Sequence, residues 1–382
     1  MKEVRKLDFL DGLKVLSCLM IFNFHFNNFF YPGSYSLLPE QYHVPDIEYL
    51  FGSTPLNLLM GGKYGVRIFM TLSGFFVGYR FFITGDKRSL KSGAIKKYFR
   101  LVLPIIAANI LIFALMSLGL YRNDEAAVFA HSEVFVANYN TFAPNFFAAM
   151  KEAVWGCFVT GANQYNGPLW FIYYEFFGTL LIAAILSLVG ESKARYIVYG
   201  VAALIFIRSD FLPFILGTVV CDLTYQTPAW IEKINKQKWL MTLLLIGALF
   251  LGSFPPIGER MEGTIYQFFP LKIILYYNIA ASMLIYAVLQ LKTPAKLLGN
   301  KLFTWFNQYT YGFYLTHFTV LCTFPCSLFL ALKDSMNYHV LALINYVLSF
   351  VLSTLISMAF HKWIEKPGMK LAAKVGAYFD KH

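Results

Sequence analysis

KLDFLDGLKVLSCLMIFNFHFNNFF, residues Lys6 to Phe30, is the stretch that decides the fold class. It is an apolar run long enough for a bilayer crossing, which takes about 20 mostly apolar residues at about 1.5 Å of helical rise each. Two groups inside it, Lys14 and His25, are foreign to hydrocarbon. They are eleven residues apart, and at about 100° per residue that falls within roughly 20° of whole turns. Both side chains therefore lie on one stripe of a helix, roughly 16 Å apart along its axis. A cation near one end and an imidazole near the other, on one face, fit a lined cavity. The plain alternative is a lysine that snorkels to the interface and a histidine that bonds a neighbouring helix.

The rest of the chain has the same character. Its 382 residues are 58% hydrophobic and 14% charged, where a soluble domain carries about 25% charge. Mean hydropathy is +0.54. The expected fold is all-α, a polytopic transmembrane helix bundle. Apolar stretches lie at roughly 10–31, 64–83, 100–120, 168–189, 194–208, 210–226, 239–254, 271–291, 306–330 and 339–361, ten spans by the length rule. The fifth and sixth are short and meet at Arg208-Ser209-Asp210. The first carries internal charge and no small-residue cleavage site, so it reads as a span and not as a cleaved signal. Five cysteines, an odd number with no C-x-x-C pair, indicate neither a disulfide framework nor a metal site.

Charge sets the expected orientation. With a cytoplasmic N-terminus, the inside segments hold 22 of the 32 Lys and Arg and the outside segments hold 7, the latter being Lys63, Arg122, Lys151, Arg208, Arg260, Lys272 and Lys333. That asymmetry places both termini in the cytoplasm and explains the net charge of +11 without a nucleic-acid partner. No segment between spans is long enough to fold alone, so 1–382 reads as a single integral membrane domain. The longest outer segment, 121–167, contains FAPNFFAAMKEAVWGCF, which reads as an interfacial or re-entrant helix.

Depth follows from orientation. His25, Arg67 and Glu175 fall at one level in the outer half, and Lys14, Arg80, Lys97 and Arg100 gather at the inner side. Ionisable residues within spans are functional candidates. The alternatives are a structural ion pair between Arg67 and Glu175, and an inner basic cluster that is no more than a topology signal.

The same residues carry a family likeness. DGLKVLSCLMIFNFH (Asp11 to His25), GVRIFMTLSGFF, KKYFRLVLP, PLWFIYYEFF, YTYGFYLTHFTV and HKWIEKPGMK occur in that order. Together they resemble the signatures of the acyltransferase-3 family, integral membrane proteins that O-acylate carbohydrates and other acceptors. The chain departs from the pattern at Lys14 and Lys97, where arginine is commoner, at Val15, where glycine usually follows the basic residue, and at Thr310, where serine is usual.

The resemblance implies an acyltransferase, transferring groups other than amino-acyl groups, in the cytoplasmic (inner) membrane of a bacterium. It implies acyl-CoA, most often acetyl-CoA, as the cytoplasmic donor substrate, with no metal. The acceptor is a hydroxyl of a carbohydrate, lipid-linked glycan or other cell-envelope component at the outer side, close to membrane lipid, and an external partner protein can complete the reaction. It maps catalysis to His25 and donor binding to Lys14, Lys97 and Arg100.

The chemistry is consistent with these positions. Histidine titrates near neutrality, so His25 can serve as base for the acceptor hydroxyl or be acylated itself. Glu175 is placed to orient or charge-stabilise His25, and Arg67 to contact the oxyanion or the acceptor. Trp170, Tyr173 and Tyr174 offer an aromatic, hydrogen-bonding surface for a sugar, or else an interfacial belt. His317 either faces the same cavity or makes an interhelical hydrogen bond. Ser73 in LSGFF lacks a nucleophile-elbow context and reads as a small packing residue. The competing class is a multi-span transporter or flippase without acyl chemistry, which internal repeats would favour, and no convincing repeat links the two halves. A membrane-bound O-acyltransferase of the class with a mid-chain histidine fits less well, because here the histidine is in the first span.

Overall fold

The computed structural model describes residues 6–132, 136–255, 262–269 and 273–381. Arg260 and Lys272 of the charge count, and Lys2 and Arg5 of the N-terminal segment, lie outside the described residues. Among the described residues there are helices and no strands. The longer helices are α1 Asp8–Phe30, α2 Gly62–Thr84, α3 Arg88–Ser117, α4 Trp170–Val189, α5 Arg195–Ile205, α6 Leu212–Tyr225, α7 Lys238–Gly252, α8 Ile273–Gln290, α9 Thr310–Cys322, α10 Phe324–Leu332 and α11 Tyr338–Phe360.

Each predicted apolar stretch is largely helical over its described residues, but the stretches are not equal. Six are long and apolar enough to cross a membrane, and a seventh is broken by 101° between 274–290 and 292–298. α5, α6 and α7 have 11, 14 and 15 residues, short of the roughly 20 that a straight crossing takes. The turn carrying Arg208, Ser209 and Asp210 follows α5 before it reaches span length, and Asp210 within it pairs with Arg67.

Close packing explains how the bundle brings charges together. α2 and α6 touch backbone to backbone. A Cβ added at Gly74 would overlap the Phe214 carbonyl, and one at Gly217 would overlap the Thr71 carbonyl. Thr218 Oγ1 then donates to the Gly74 carbonyl at 3.1 Å. Small residues do the same between α9 and α11, where Gly312 meets Ser357, and Asn345, Ser349, Ser353 and Ser357 form a buried polar seam four residues apart. Without a hydrophobic drive between helices in lipid, such small and polar faces are the usual means of association.

The 121–167 segment forms a short helix, Asn123–Phe129, and a helical run through Phe146–Lys151, Glu152–Gly156 and Cys157–Val159. Its anchor is Glu152. That carboxylate accepts the backbone N–H groups of Gln164 at 2.6 Å, Tyr165 at 3.0 Å and Asn166 at 3.2 Å, and the Asn109 amide at 3.3 Å. The loop so folded is tied to α9: the Asn166 amide donates to the Leu315 carbonyl at 3.0 Å, and Tyr314 donates to the Pro168 carbonyl at 2.7 Å.

Candidate active site

α1 presents Lys14 and His25 on one stripe, as its register requires. The neighbours of the two ends differ, and the polar groups fall into two clusters.

At the His25 end, the imidazole lies against α9. Its ring centroid is 5.2 Å from that of His317 and 4.9 Å from the Phe318 ring. His317 is buried, with Nδ1 at 3.0 Å and 2.9 Å from the carbonyls of Phe313 and Tyr314. A carbonyl only accepts, so Nδ1 carries the proton and Nε2 keeps a lone pair. Nε2 is buried with no protein partner. His317 thus makes the helix hydrogen bond expected of it and also meets His25 ring against ring.

His25 forms part of the wall of a cavity of about 550 Å³, which Arg67, Trp170, Tyr277, Tyr314 and Phe318 also line. That volume is typical of ligand sites, which run to about 300–1,000 Å³ and are mostly apolar with a few polar groups. Arg67 is buried in α2, with Nη2 on Asp210 Oδ1 at 2.7 Å and Nη1 on Met70 Sδ at 3.2 Å. Its partner is therefore Asp210 of the α5–α6 turn and not Glu175. Trp170 lines the cavity. Tyr173 and Tyr174 are not among its lining residues and instead pack on Phe211, with centroids at 6.0 Å and 5.2 Å.

Glu175 belongs to the other cluster. Lys97 Nζ lies 2.5 Å from its Oε1, and Ser73 Oγ donates to the same oxygen at 2.7 Å, while Oε2 is buried without a partner. The sequence reading sets Glu175 level with His25 and Arg67, but it sits with Lys97 and Ser73, and Ser73 is six residues beyond Arg67 on α2, roughly 9 Å along that axis. Five residues after Trp170 the helix has turned about 140° and advanced roughly 7 Å, so Glu175 faces α3 and the Ser73 turn of α2. Ser73 is a hydrogen-bond donor here, which gives it a role beyond small-residue packing.

Lys14 closes this cluster. Its Nζ pairs with Asp11 at 3.0 Å and sits 4.5 Å from the centre of the Phe76 ring, with Arg100 and Glu175 near enough for charge interaction. Arg100 is exposed at the edge, three residues beyond Lys97. Pro104, within α3, has no N–H to give the Arg100 carbonyl. Lys14, Lys97 and Arg100 are thus gathered at one end, as the sequence reading has them.

Asp11, Ser73 and Asp210 are the partners that sequence reading leaves out. Asp11 was within reach, being one helical turn from Lys14. Ser73 meets Glu175 across 102 residues, and Asp210 meets Arg67 across a comparable separation, so no local pattern exposes either.

Chemically, a two-ended site of this kind can hold anionic phosphates at the Lys14–Lys97–Arg100 end and a neutral or anionic hydroxyl compound in the cavity beside His25. Among known proteins, a family model described as an acyltransferase domain, of the acyltransferase-3 type, aligns with residues 7–362. No curated protein and no solved structure matches the chain.

Proposed function

The chain belongs to the acyltransferase-3 family, and on that premise we propose that it moves an acyl group, acetyl in the simplest case, from acyl-CoA to a hydroxyl of a carbohydrate or cell-envelope acceptor. The observation that carries this reading is the single helix α1. It holds His25 on the cavity wall, 5.2 Å from His317, and holds Lys14 with the Lys97–Glu175 cluster, roughly 16 Å further along. An extended pantetheine arm is of that order.

In this reading the Lys14 end faces the cytoplasm, the bundle crosses the inner membrane of a bacterium ten times, and the His25 cavity opens to the outer side. The three short helices cross as bent or locally thinned elements. The positive-inside asymmetry supports this orientation. Donor phosphates dock on Arg100 and Lys97 with help from Lys14, and the thioester reaches His25. His25 takes the proton of the acceptor hydroxyl as its oxygen attacks the thioester carbonyl. The carbon–sulfur bond breaks, and His25 returns the proton to the CoA thiolate. His317 supports the imidazole, since its Nε2 lone pair faces this buried region and its Nδ1 is pinned by two carbonyls. Arg67 and Trp170 serve the acceptor end.

The test is transfer by purified protein in nanodiscs with labelled acetyl-CoA, together with mass spectrometry of surface glycans from cells with and without the gene. Expected are acyl-CoA turnover and a glycan mass difference of one acyl group, both lost with His25→Ala. A protein that consumes no acyl-CoA but carries a glycan across vesicles is a transporter, and the reading is then wrong.

A further inference from the structure

The cavity beside His25 is electrically lopsided. Two cations line it, Lys63 and Arg67, and no carboxylate is among its lining residues. The cations stand four residues apart on α2, which puts them on one face as near neighbours. Like charges so placed repel unless an anion comes between them.

Neither cation is fully used by the protein. Arg67 is 6% exposed, and its Asp210 and Met70 contacts occupy Nη2 and Nη1, while Nε has no hydrogen-bond partner. A buried N–H left over in a membrane-spanning bundle is costly, because no lipid group can satisfy it. Lys63 is at the exposed rim. Among the described residues it has no carboxylate at ion-pair distance, and its Nζ lies 5.9 Å from the centre of the Tyr35 ring. Asp210, the acid that pairs with Arg67 among the described residues, is thereby already committed. Around the two cations stand Tyr35, Trp170, Tyr277 and Tyr314, whose ring faces suit the apolar C–H face of a sugar and whose polar tips suit its hydroxyls.

Resting on the acyl-transfer reading above, we propose that the acceptor is an anionic carbohydrate, with a carboxylate or phosphate seated between Lys63 and Arg67 and the hydroxyl to be acylated turned toward His25. A neutral sugar would fill the aromatic walls and leave the excess charge unmatched. An anion supplies Arg67 Nε with an acceptor and relieves the repulsion between the two cations. Charge-assisted hydrogen bonds of this kind are about twice as strong as neutral ones. Lys63 at the rim also draws an anionic acceptor in, an effect that salt screens.

The experiment uses the full chain in nanodiscs with acetyl-CoA and matched acceptor pairs. One arm offers methyl hexuronides as free acids and as their methyl esters. A second offers glycosyl phosphates beside the corresponding methyl glycosides. The inference expects at least one pair in which the anionic member is acylated with a kcat/KM about tenfold or more above its neutral mate. The arm in which that pair occurs identifies carboxylate or phosphate. Lys63→Ala then brings the ratio close to one, chiefly through a raised acceptor KM, and added salt compresses the wild-type ratio in the same direction. Lys63 is exposed, so its removal does not threaten the fold. Equal use of both members, use of neutral acceptors alone, or a ratio that Lys63→Ala leaves intact overturns the inference. So does acyl-CoA turnover to water with no transfer to any anionic acceptor, an outcome in which the acyltransferase reading survives. Absence of all acyl-CoA turnover defeats that reading first.

Discussion

Lys97 Nζ and Glu175 Oε1 lie 2.5 Å apart, and Ser73 Oγ reaches the same oxygen at 2.7 Å. Both charged side chains are largely shielded, 20% and 12% exposed. The carboxylate therefore holds the cation that the proposed function gives to the donor's phosphates. If the proposed donor phosphates dock at Lys97, they would exchange one anion for another there, and the Ser73 hydroxyl would keep a hydrogen bond on Glu175.

The pair should behave as a coupled unit in stability measurements. Removing one partner of a buried ion pair strands the other and costs about 3–5 kcal/mol, so Glu175→Ala and Lys97→Ala should each lower the thermal midpoint in detergent. The double variant should lose clearly less than the two single losses added together. Strict additivity would mean that the two groups do not interact in the folded protein.

Donor binding should depend on the exposed member of the cluster. Arg100→Ala is expected to raise the KM for acyl-CoA about tenfold with a smaller effect on kcat, since a phosphate contact does not change in the transition state. Higher salt should weaken the wild type more than this variant. Lys14→Ala should be the harsher change, being deeper and already paired with Asp11. A loss confined to kcat would place the donor elsewhere.

At the other end, His25→Ala should reduce transfer by about 10²–10⁴ or more, the range for an essential acid–base group. His317→Ala should reduce it less, and His317→Gln should restore part of the loss if a side-chain acceptor beside His25 is what matters. Activity within tenfold of wild type in a stably inserted His25→Ala protein would remove His25 from the chemistry.

Asp210 is predicted to act through Arg67. Asp210→Asn weakens the contact now at 2.7 Å and lets the guanidinium swing. The acceptor KM should rise by roughly tenfold, in line with a charge-assisted hydrogen bond worth about 1.5–3 kcal/mol, and the donor KM should hardly move. Kinetics with each substrate varied in turn separates this from a general loss of fold, which would lower active-site concentration and leave both KM values unchanged.

One histidine outside the spans gives a pH prediction. His43 Nε2 donates to the Ala130 carbonyl at 3.1 Å, and its ring stacks on Tyr338 at 4.0 Å and on His131 at 4.9 Å. Burial, with His131 and His339 nearby, pushes its pKa below the ordinary value of 6.5. A group whose folded pKa is depressed stabilises the fold above its unfolded value and loses that contribution as pH falls through the folded one. Thermal stability should therefore decline on acidification below about pH 6.5, and His43→Gln should flatten the decline. An equal slope in the variant would remove His43 as the cause.

Much of the architecture was legible because bilayer physics is local. Apolar runs of sufficient length are helical in the fold, and the eleven-residue spacing of Lys14 and His25 keeps both on one stripe of α1. The weak points in the reading were also local: the Arg208-Ser209-Asp210 turn leaves α5 and α6 short. The two-ended site was legible in part. His25, Arg67 and Trp170 share a cavity, and Lys14, Lys97 and Arg100 gather at the other end. Glu175, which the sequence sets level with His25 and Arg67, sits with Lys97 and Ser73, and Tyr173 and Tyr174 turn toward Phe211 and not into the cavity.

By itself, the order of residues determined that this is a helical membrane bundle, where each ionisable residue stands along its own helix, and that an imidazole and a lysine share one face. Position along a helix follows from residue count, because helical rise is the same for every sequence. Only the tertiary structure decided the partners: Glu175 with Lys97 and Ser73, Arg67 with Asp210, and His25 with His317. Pairing depends on azimuth and on how closely helices approach. That approach is set by contacts such as Gly74 on Phe214 and Gly217 on Thr71, between segments more than a hundred residues apart, which no local pattern encodes.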